Sequence, residues 1–360
     1  MHNERIKKVI SQMKTNQINQ LLVTSPSSLF YLTNHWVHPG ERFLALYLNV
    51  SGDVIYFANS LFHLSPDISC PIIFYNDNQN PIDFLFKYLK DIGTIGVDNT
   101  LAANFLLDIL HRLHQGKIVL ASNCINLVRM IKDNEEIELL RHSSLINDKT
   151  MNDIIHSISP TLTEAELAHK LPEFYCSHGG DGYQVVPIVS YGANCADAHH
   201  RPDDTKLAIG NSIVLDMGIP YKSYYSDMTR SVFYGDVSKK WKSIYNIVLN
   251  AQLEAINAIK PGIRCCDIDL IGRKIIAAEG YGDFFTHRIG HNIGIDGHEF
   301  PSISSDNEME LQEGMVFSIE PGIYIPNEGG IRIEDLIVVK KNGYEILNHY
   351  KKDLQVLPIS

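Results

Sequence analysis

At 360 residues the chain is longer than one ordinary core and suits two domains of common size. Hydrophobic residues make up 44% and charged residues 20%, which excludes a disordered chain and fits a globular one. With 42 acids against 31 lysines and arginines the formal net charge is -11; that sign excludes the basic footprint of a nucleic-acid partner and disfavours an anionic membrane surface.

Met1 to Lys14 is charged and lacks the apolar stretch of a signal peptide. No run of about 18 uncharged apolar residues occurs, so no membrane span is expected. The cysteines, at 70, 124, 176, 195, 265 and 266, show neither CxxC nor framework spacing. Adjacent Cys265 and Cys266 read as two small buried hydrophobes on a helix. Together these features predict a cytoplasmic protein with reduced thiols.

In chain order, residues 5–16 form an amphipathic helix by spacing, with Ile6, Val9, Ile10 and Met13 on one face. An apolar strand follows over 19–24, and strands over 43–49 and 54–58 flank Ser51-Gly52-Asp53, a hairpin signal. Strands over 71–75, 94–97 and 117–121 alternate with helices over 81–89 and 104–114. This predicts a small α/β domain over 1–123. A long helix over 134–158 opens a second domain, expected over 124–360. The capping box Thr163-Glu164-Ala165-Glu166 starts another helix, stopped by Gly179-Gly180. Strands follow, then helices over 238–260 and 266–279, then strands and loops. The helix–strand order of 134–235 is echoed in 238–340, which permits an internal pseudo-repeat. The fold class read from this pattern is α/β (α+β).

Three acids stand where acids are expensive. Asp216 closes the apolar strand Ser212-Ile-Val-Leu-Asp, Glu320 lies in Met315-Val-Phe-Ser-Ile-Glu, and Glu334 sits between Ile331-Arg-Ile and Asp335-Leu-Ile-Val-Val. Burying a lone carboxylate costs several kcal/mol unless a cation compensates it. Asp227 follows Asp216 across a segment, 219–226, that reads as a hairpin turn. His287, His291 and His298 lie in a stretch whose glycines at 290, 294 and 297 exclude a helical HExxH motif. Any one of these acids alone reads as a strand-end cap or a salt-bridge partner. Several in one domain point to a shared metal cluster. One imidazole among four carboxylates is a hard, oxygen-rich set suited to Mn²⁺, or to Co²⁺ in vitro, rather than to a thiolate-lined structural zinc.

The strings Ile213-Val-Leu-Asp-Met-Gly, Ser226-Asp-Met-Thr-Arg, His287-Arg-Ile-Gly-His, His298-Glu-Phe-Pro, Ser318-Ile-Glu-Pro-Gly and Gly330-Ile-Arg-Ile-Glu-Asp resemble the pita-bread metallopeptidases. Within that family they look like the proline-specific branch, the prolidases and Xaa-Pro aminopeptidases. The first part of the chain resembles a creatinase-like N-terminal domain, most clearly in Ser25-Pro-Ser-Ser-Leu-Phe-Tyr-Leu-Thr. The resemblance implies a pseudo-symmetric catalytic domain, a homodimer and two divalent ions, with manganese foremost and cobalt or zinc as alternatives. It places metal ligands at Asp216, Asp227, His291, Glu320 and Glu334, with Asp227 and Glu334 bridging. His199 matches a substrate-binding histidine, and His298 one that contacts the scissile carbonyl or the leaving amine. Arg332 matches an arginine orienting Glu334 and the substrate, and Thr229 is expected to support Asp227. His200 reads as structural or solvent-facing. Glu320 would serve as general base and acid for a water shared by the two ions.

Cleavage of an Xaa-Pro dipeptide requires an anchor for a free carboxylate, best an arginine. Many prolidases carry one just after the HExP string, where this chain has Ser302. Arg288 is the candidate substitute, and the 34–42 loop, with Trp36, His38 and Arg42, is another if it overhangs a dimer partner's site. The sequence thus predicts an Xaa-Pro dipeptidase acting on small proline peptides. An Xaa-Pro aminopeptidase is the second reading, and a non-catalytic binding module of the same fold the reading from another class.

Overall fold

Short apolar runs alternating with amphipathic ones give the first 129 residues an α/β arrangement in the computed structural model, which describes residues 1–181 and 187–359. The elements are α1 (Asn3–Thr15), β1 (Gln20–Val23), α2 (Pro26–Thr33), β2 (Ala45–Asn49), β3 (Val54–Asn59), β4 (Ile72–Tyr75), α3 (Pro81–Leu85), β5 (Thr94–Val97), α4 (Ala103–Arg112), β6 (Lys117–Leu120) and α5 (Asn123–Arg129). The strands form one sheet in the order β4-β3-β2-β1-β5-β6, antiparallel at β1–β2 and β2–β3 and parallel elsewhere. Leu22, Tyr47, Phe57 and Ile95 lie in the core of this unit. Helix α2, which local periodicity does not announce, begins at Ser25, whose side chain caps it, with Pro26 in the first turn. This compact unit runs to Arg129, with α5 packed on α1.

The second unit, from Met130, contains α6 (Asn134–His156), α7 (Glu164–Ala168), α8 (Leu171–Ser177), β7 (Ile188–Tyr191), β8 (Ser212–Met217), β9 (Pro220–Tyr221), β10 (Tyr224–Tyr225), β11 (Met228–Tyr234), α9 (Lys239–Asn257) and α10 (Cys265–Ala278). It continues through β12 (Gly290–Asn292), β13 (Glu299–Ile303), β14 (Val316–Ile319), β15 (Gly322–Ile325), β16 (Gly329–Arg332), β17 (Asp335–Lys340), β18 (Gly343–Ile346) and β19 (Gln355–Leu357). Capping boxes at Asp133/Glu136 and Thr163/Glu166 start α6 and α7. The single helix expected after Thr163 is broken into α7 and α8. Pro172 has no N–H to continue the ladder, and its ring blocks the carbonyl one turn back. Gly179 then turns the chain in the left-handed region. Cys265 and Cys266 are both buried at the start of α10, and all six cysteines are free.

Two sheets organise this unit, β19-β11-β8-β7 and β13-β12-β14-β17-β18. Each has an antiparallel pair interrupted by a small hairpin: β8 and β11 enclose β9–β10, and β14 and β17 enclose β15–β16. Each pair also follows helices, α6 to α8 in one case and α9 with α10 in the other, so the echo in the sequence is a duplicated arrangement in space. Glu334 N donates to Thr229 O at 3.1 Å, and Ser231 Oγ donates to Arg332 O at 2.9 Å, so the second half is hydrogen-bonded to β11 of the first.

Candidate metal centre

The open ends of the two pairs carry the acids. In the first, Thr229 stands opposite Asp216 and Met228 opposite Met217, so Asp227 emerges one residue before β11, beside Asp216. In the second, Asp335 stands opposite Ile319, so Glu320 and Glu334 emerge just beyond the pair. Asn147 of α6 donates to Met217 O at 2.7 Å, and Ser143 donates to Ile219 O at 2.6 Å, fixing the turn after Asp216. His291 lies within β12, and its Nδ1 donates to Asn292 O at 3.2 Å. That bond leaves Nε2 free to face Glu320 Oε1 at 3.3 Å and Asp227 Oδ2 at 3.7 Å. Only glycine fits at 290, since a Cβ there would lie 1.8 Å from Ser318 O.

Ligand atoms of Asp227, His291 and Glu334 lie within 4.8 Å of one another. Burial first, and then the charges of Asp216 and Glu320, hold the Asp227 carboxyl well above its usual range. Burial and the charge of Asp227 do the same to Glu334. Glu320 is pushed up to about 7, mainly by burial, with Arg332 opposing. Burial, helped by His298, holds His291 well below the usual imidazole range, so its ring is neutral and available as a ligand. Four carboxylates thus converge with the neutral imidazole of His291, and the guanidinium of Arg332 lies among them. That surplus of negative oxygen donors fits divalent, oxygen-seeking cations.

A cavity of about 950 Å³ opens on this cluster and is lined by all five candidate ligands together with His199, Arg288, His298 and Arg332. The His298 ring lies against that of His291, tilted by 52° with centroids 4.0 Å apart. Arg288 Nη1 donates to Ser302 Oγ at 2.9 Å. Two expectations are corrected. Thr229 Oγ1 donates to Glu334 Oε2 at 2.7 Å rather than supporting Asp227, because β11 meets the start of β17 at that residue. Arg332 pairs directly with Asp216 at 2.6 Å and reaches Glu334 only through Thr229 Oγ1, to which its Nε donates at 3.1 Å. His200, expected to be structural or solvent-facing, lines the cavity and also bonds buried Glu164 at 2.7 Å.

Sequence reasoning did not assign His287 and Tyr324. Arg332 Nη1 donates to Tyr324 OH at 2.8 Å, and that hydroxyl bonds His287 Nε2 at 2.8 Å. His287 Nδ1 donates to Arg288 O at 2.7 Å, so Nε2 accepts from the tyrosine. Burial holds His287 near 4 and Tyr324 near 12, so both stay neutral in this chain of bonds from Asp216 to the peptide of Arg288. The available signal was Tyr324 in Pro-Gly-Ile-Tyr, on β15, which pairs with β16 carrying Arg332. In the first unit, Trp36 of the 34–42 loop stacks on Phe30, and Arg42 is held by Asp77 through two bonds of 2.9 Å.

Residues 138–341 match the model of metallopeptidase family M24, and residues 5–131 match the creatinase/prolidase N-terminal domain. An uncharacterized peptidase of Staphylococcus haemolyticus is 36% identical over 358 residues, covering 97% of this chain and 99% of the relative. A dipeptidase structure from Pyrococcus horikoshii is 36% identical with a TM-score of 0.92, covering 98% of this chain and 100% of that one. A prolidase structure from Thermococcus sibiricus is 31% identical with a TM-score of 0.94, covering 99% of each chain. The creatinase-like first domain and the catalytic domain after it agree with the fold expected from sequence.

Proposed function

The chain belongs to metallopeptidase family M24 and is a metal-dependent peptidase, and from that premise we propose that it hydrolyses the Xaa-Pro bond of dipeptides. Asp216, Asp227, His291, Glu320 and Glu334 would together hold two divalent cations, manganese foremost. When bound, these cations supply an acidified water and polarise the scissile carbonyl. Glu320 would take a proton from that water and return one to the leaving proline nitrogen. His298 and His199 flank the peptide, and Arg332 holds Asp216 in place. A cytoplasmic homodimer completes the proposal, and the free thiols of all six cysteines support the compartment.

The observation that carries the dipeptide reading is Arg288. Ser302 occupies the position opposite His291 on β13, and it accepts a bond from Arg288 Nη1. The guanidinium is therefore braced on the cavity wall, within reach of a carboxylate, while Arg42 is already occupied by Asp77. An Xaa-Pro aminopeptidase is the second reading, favoured by a cavity of about 950 Å³, which is larger than a dipeptide requires.

The test is hydrolysis of Leu-Pro against Leu-Pro-Gly by EDTA-treated protein, with and without added Mn²⁺. Metal-restored cleavage of the dipeptide is expected. Arg288→Met should then raise KM for Leu-Pro about 10- to 100-fold while sparing Leu-Pro-Gly, as for loss of a charged hydrogen bond. Preference for the tripeptide would establish the aminopeptidase instead, and full activity without metal would end both readings.

A further inference from the structure

The capping box at the start of α7 accounts for Thr163 and Glu166 but not for Glu164, which is wholly buried. Its Oε1 accepts from Tyr191 N at 2.6 Å and from Asn194 Nδ2 at 3.1 Å. Its Oε2 bonds His200 Nε2 at 2.7 Å and accepts from Asp203 N at 3.1 Å. The helix end adds two more ties, Glu164 N to Thr205 O at 3.1 Å and Ala165 N to Asp203 O at 3.0 Å. One side chain therefore gathers both ends of the segment 191–205, which carries exposed His199 into the cavity.

Glu164, His200 and Asp203 also offer ligand atoms within 4.8 Å of one another. Both oxygens of Glu164 already face N–H donors, whose positive ends oppose a cation there, so the group is a hydrogen-bond hub. A wholly buried carboxylate is costly unless so surrounded, and here the donors all come from the one segment that presents His199.

We infer that Glu164, acting through His200 and the backbone of Tyr191 and Asp203, is the positioning residue for His199. The inference rests on the reading of His199 as a substrate contact. Glu164 itself touches neither substrate nor metal ligand; it sets where the imidazole next to His200 stands.

A double-mutant cycle on the Mn²⁺-loaded protein tests it. Glu164→Gln puts an amide N–H₂ against N–H donors and should lower kcat/KM for Leu-Pro about 10²-fold, the cost of misplacing a contact by roughly an ångström. His199→Ala should cost at least as much, and the double variant should be no worse than His199→Ala within about twofold, since coupled residues are not additive. Mn²⁺ affinity, measured by titration calorimetry, should stay at the wild-type value in Glu164→Gln. Additive losses, or a parallel fall in Mn²⁺ affinity, would show a general structural role and overturn the inference.

If Glu164→Gln does not fold, His200→Ala takes its place in the cycle with about a tenfold loss, and His200→Gln, which keeps a donor toward Glu164, should restore activity. Failure of that rescue also overturns the inference. A silent His199→Ala, or a wild-type chain inert on Leu-Pro, would fail the functional reading itself and remove the inference with it.

Discussion

The two strand pairs of the catalytic unit deliver acids from matching places but are supported differently. At the β8–β11 end, the turn beside Asp216 is held by neutral donors from α6, Ser143 and Asn147. At the β14–β17 end, the support is a buried charge network. Arg230 donates to Glu334 O at 2.6 Å and to Asp335 Oδ1 at 2.7 Å, and Lys352 donates to Asp335 Oδ2 at 2.6 Å. Burial alone would raise the Asp335 carboxyl, yet Arg230 and Lys352 outweigh it and hold it below the usual range. Only the second half contributes a histidine to the candidate ligand set. Duplication of a backbone arrangement thus supplies repeated positions for the candidate ligands, while the unequal supports and the lone imidazole make the two sets inequivalent.

Removing the support of each half in turn sharpens that comparison. Arg230→Met should destabilise the protein by about 3–5 kcal/mol, because it strips a buried carboxylate and the carbonyls of Thr229, Glu334, Tyr350 and Lys351 of a donor. Ser143→Ala should cost only about 1 kcal/mol, the worth of one neutral bond. Urea unfolding of the metal-free proteins measures both, and equal losses would dissolve the contrast between the halves.

A smaller effect follows from Thr229, the link between them. Thr229→Val deletes the donor to Glu334 and the acceptor for Arg332 while conserving shape, and should weaken Mn²⁺ binding about 10- to 100-fold. Calorimetric titration reads this directly, and an unchanged affinity would mean that the halves hold their ligands independently.

The mildest effect is one of pH. Asp227, Glu334 and Glu320 carry raised carboxyl pKa values in the fold, the last about 7, so the metal-free folded state keeps protons that the unfolded chain has already released. Stability of EDTA-treated protein should therefore fall as pH rises from about 6.5 to 8. Below that window the lowered values of His287 and His291 act with the opposite sign. Saturating Mn²⁺ should flatten the slope and release protons on binding, which a pH indicator detects. A melting temperature rising across that window in EDTA would contradict the assigned directions.

The acids that converge on the cavity were legible in the sequence because a carboxylate at the end of an apolar strand is locally anomalous, as at Asp216 and Glu320. The glycines around His291 likewise gave strand and loop rather than helix. What stayed hidden depends on registers between distant strands. No local pattern could tell that Thr229 meets Glu334, that Arg332 pairs with Asp216, or that Arg230 lies behind Asp335. Glu164 was visible only as part of a capping box, because its partners at 191–203 are brought to it by the fold. Helix α2 was missed for the opposite reason: its eight residues are too few and too evenly apolar to show a period.

The bond between Arg332 and Asp216 joins positions 116 residues apart. Contacts of such separation close late, after the loops between them have been ordered. A nascent chain that has made only β8 and β11 holds two of the acids and neither the histidine nor the arginine. It would have little to hold a cation with, and would leave the peptides around it uncut. Dispersal of the candidate ligands along the sequence thus ties assembly of the proposed site to completion of the catalytic unit.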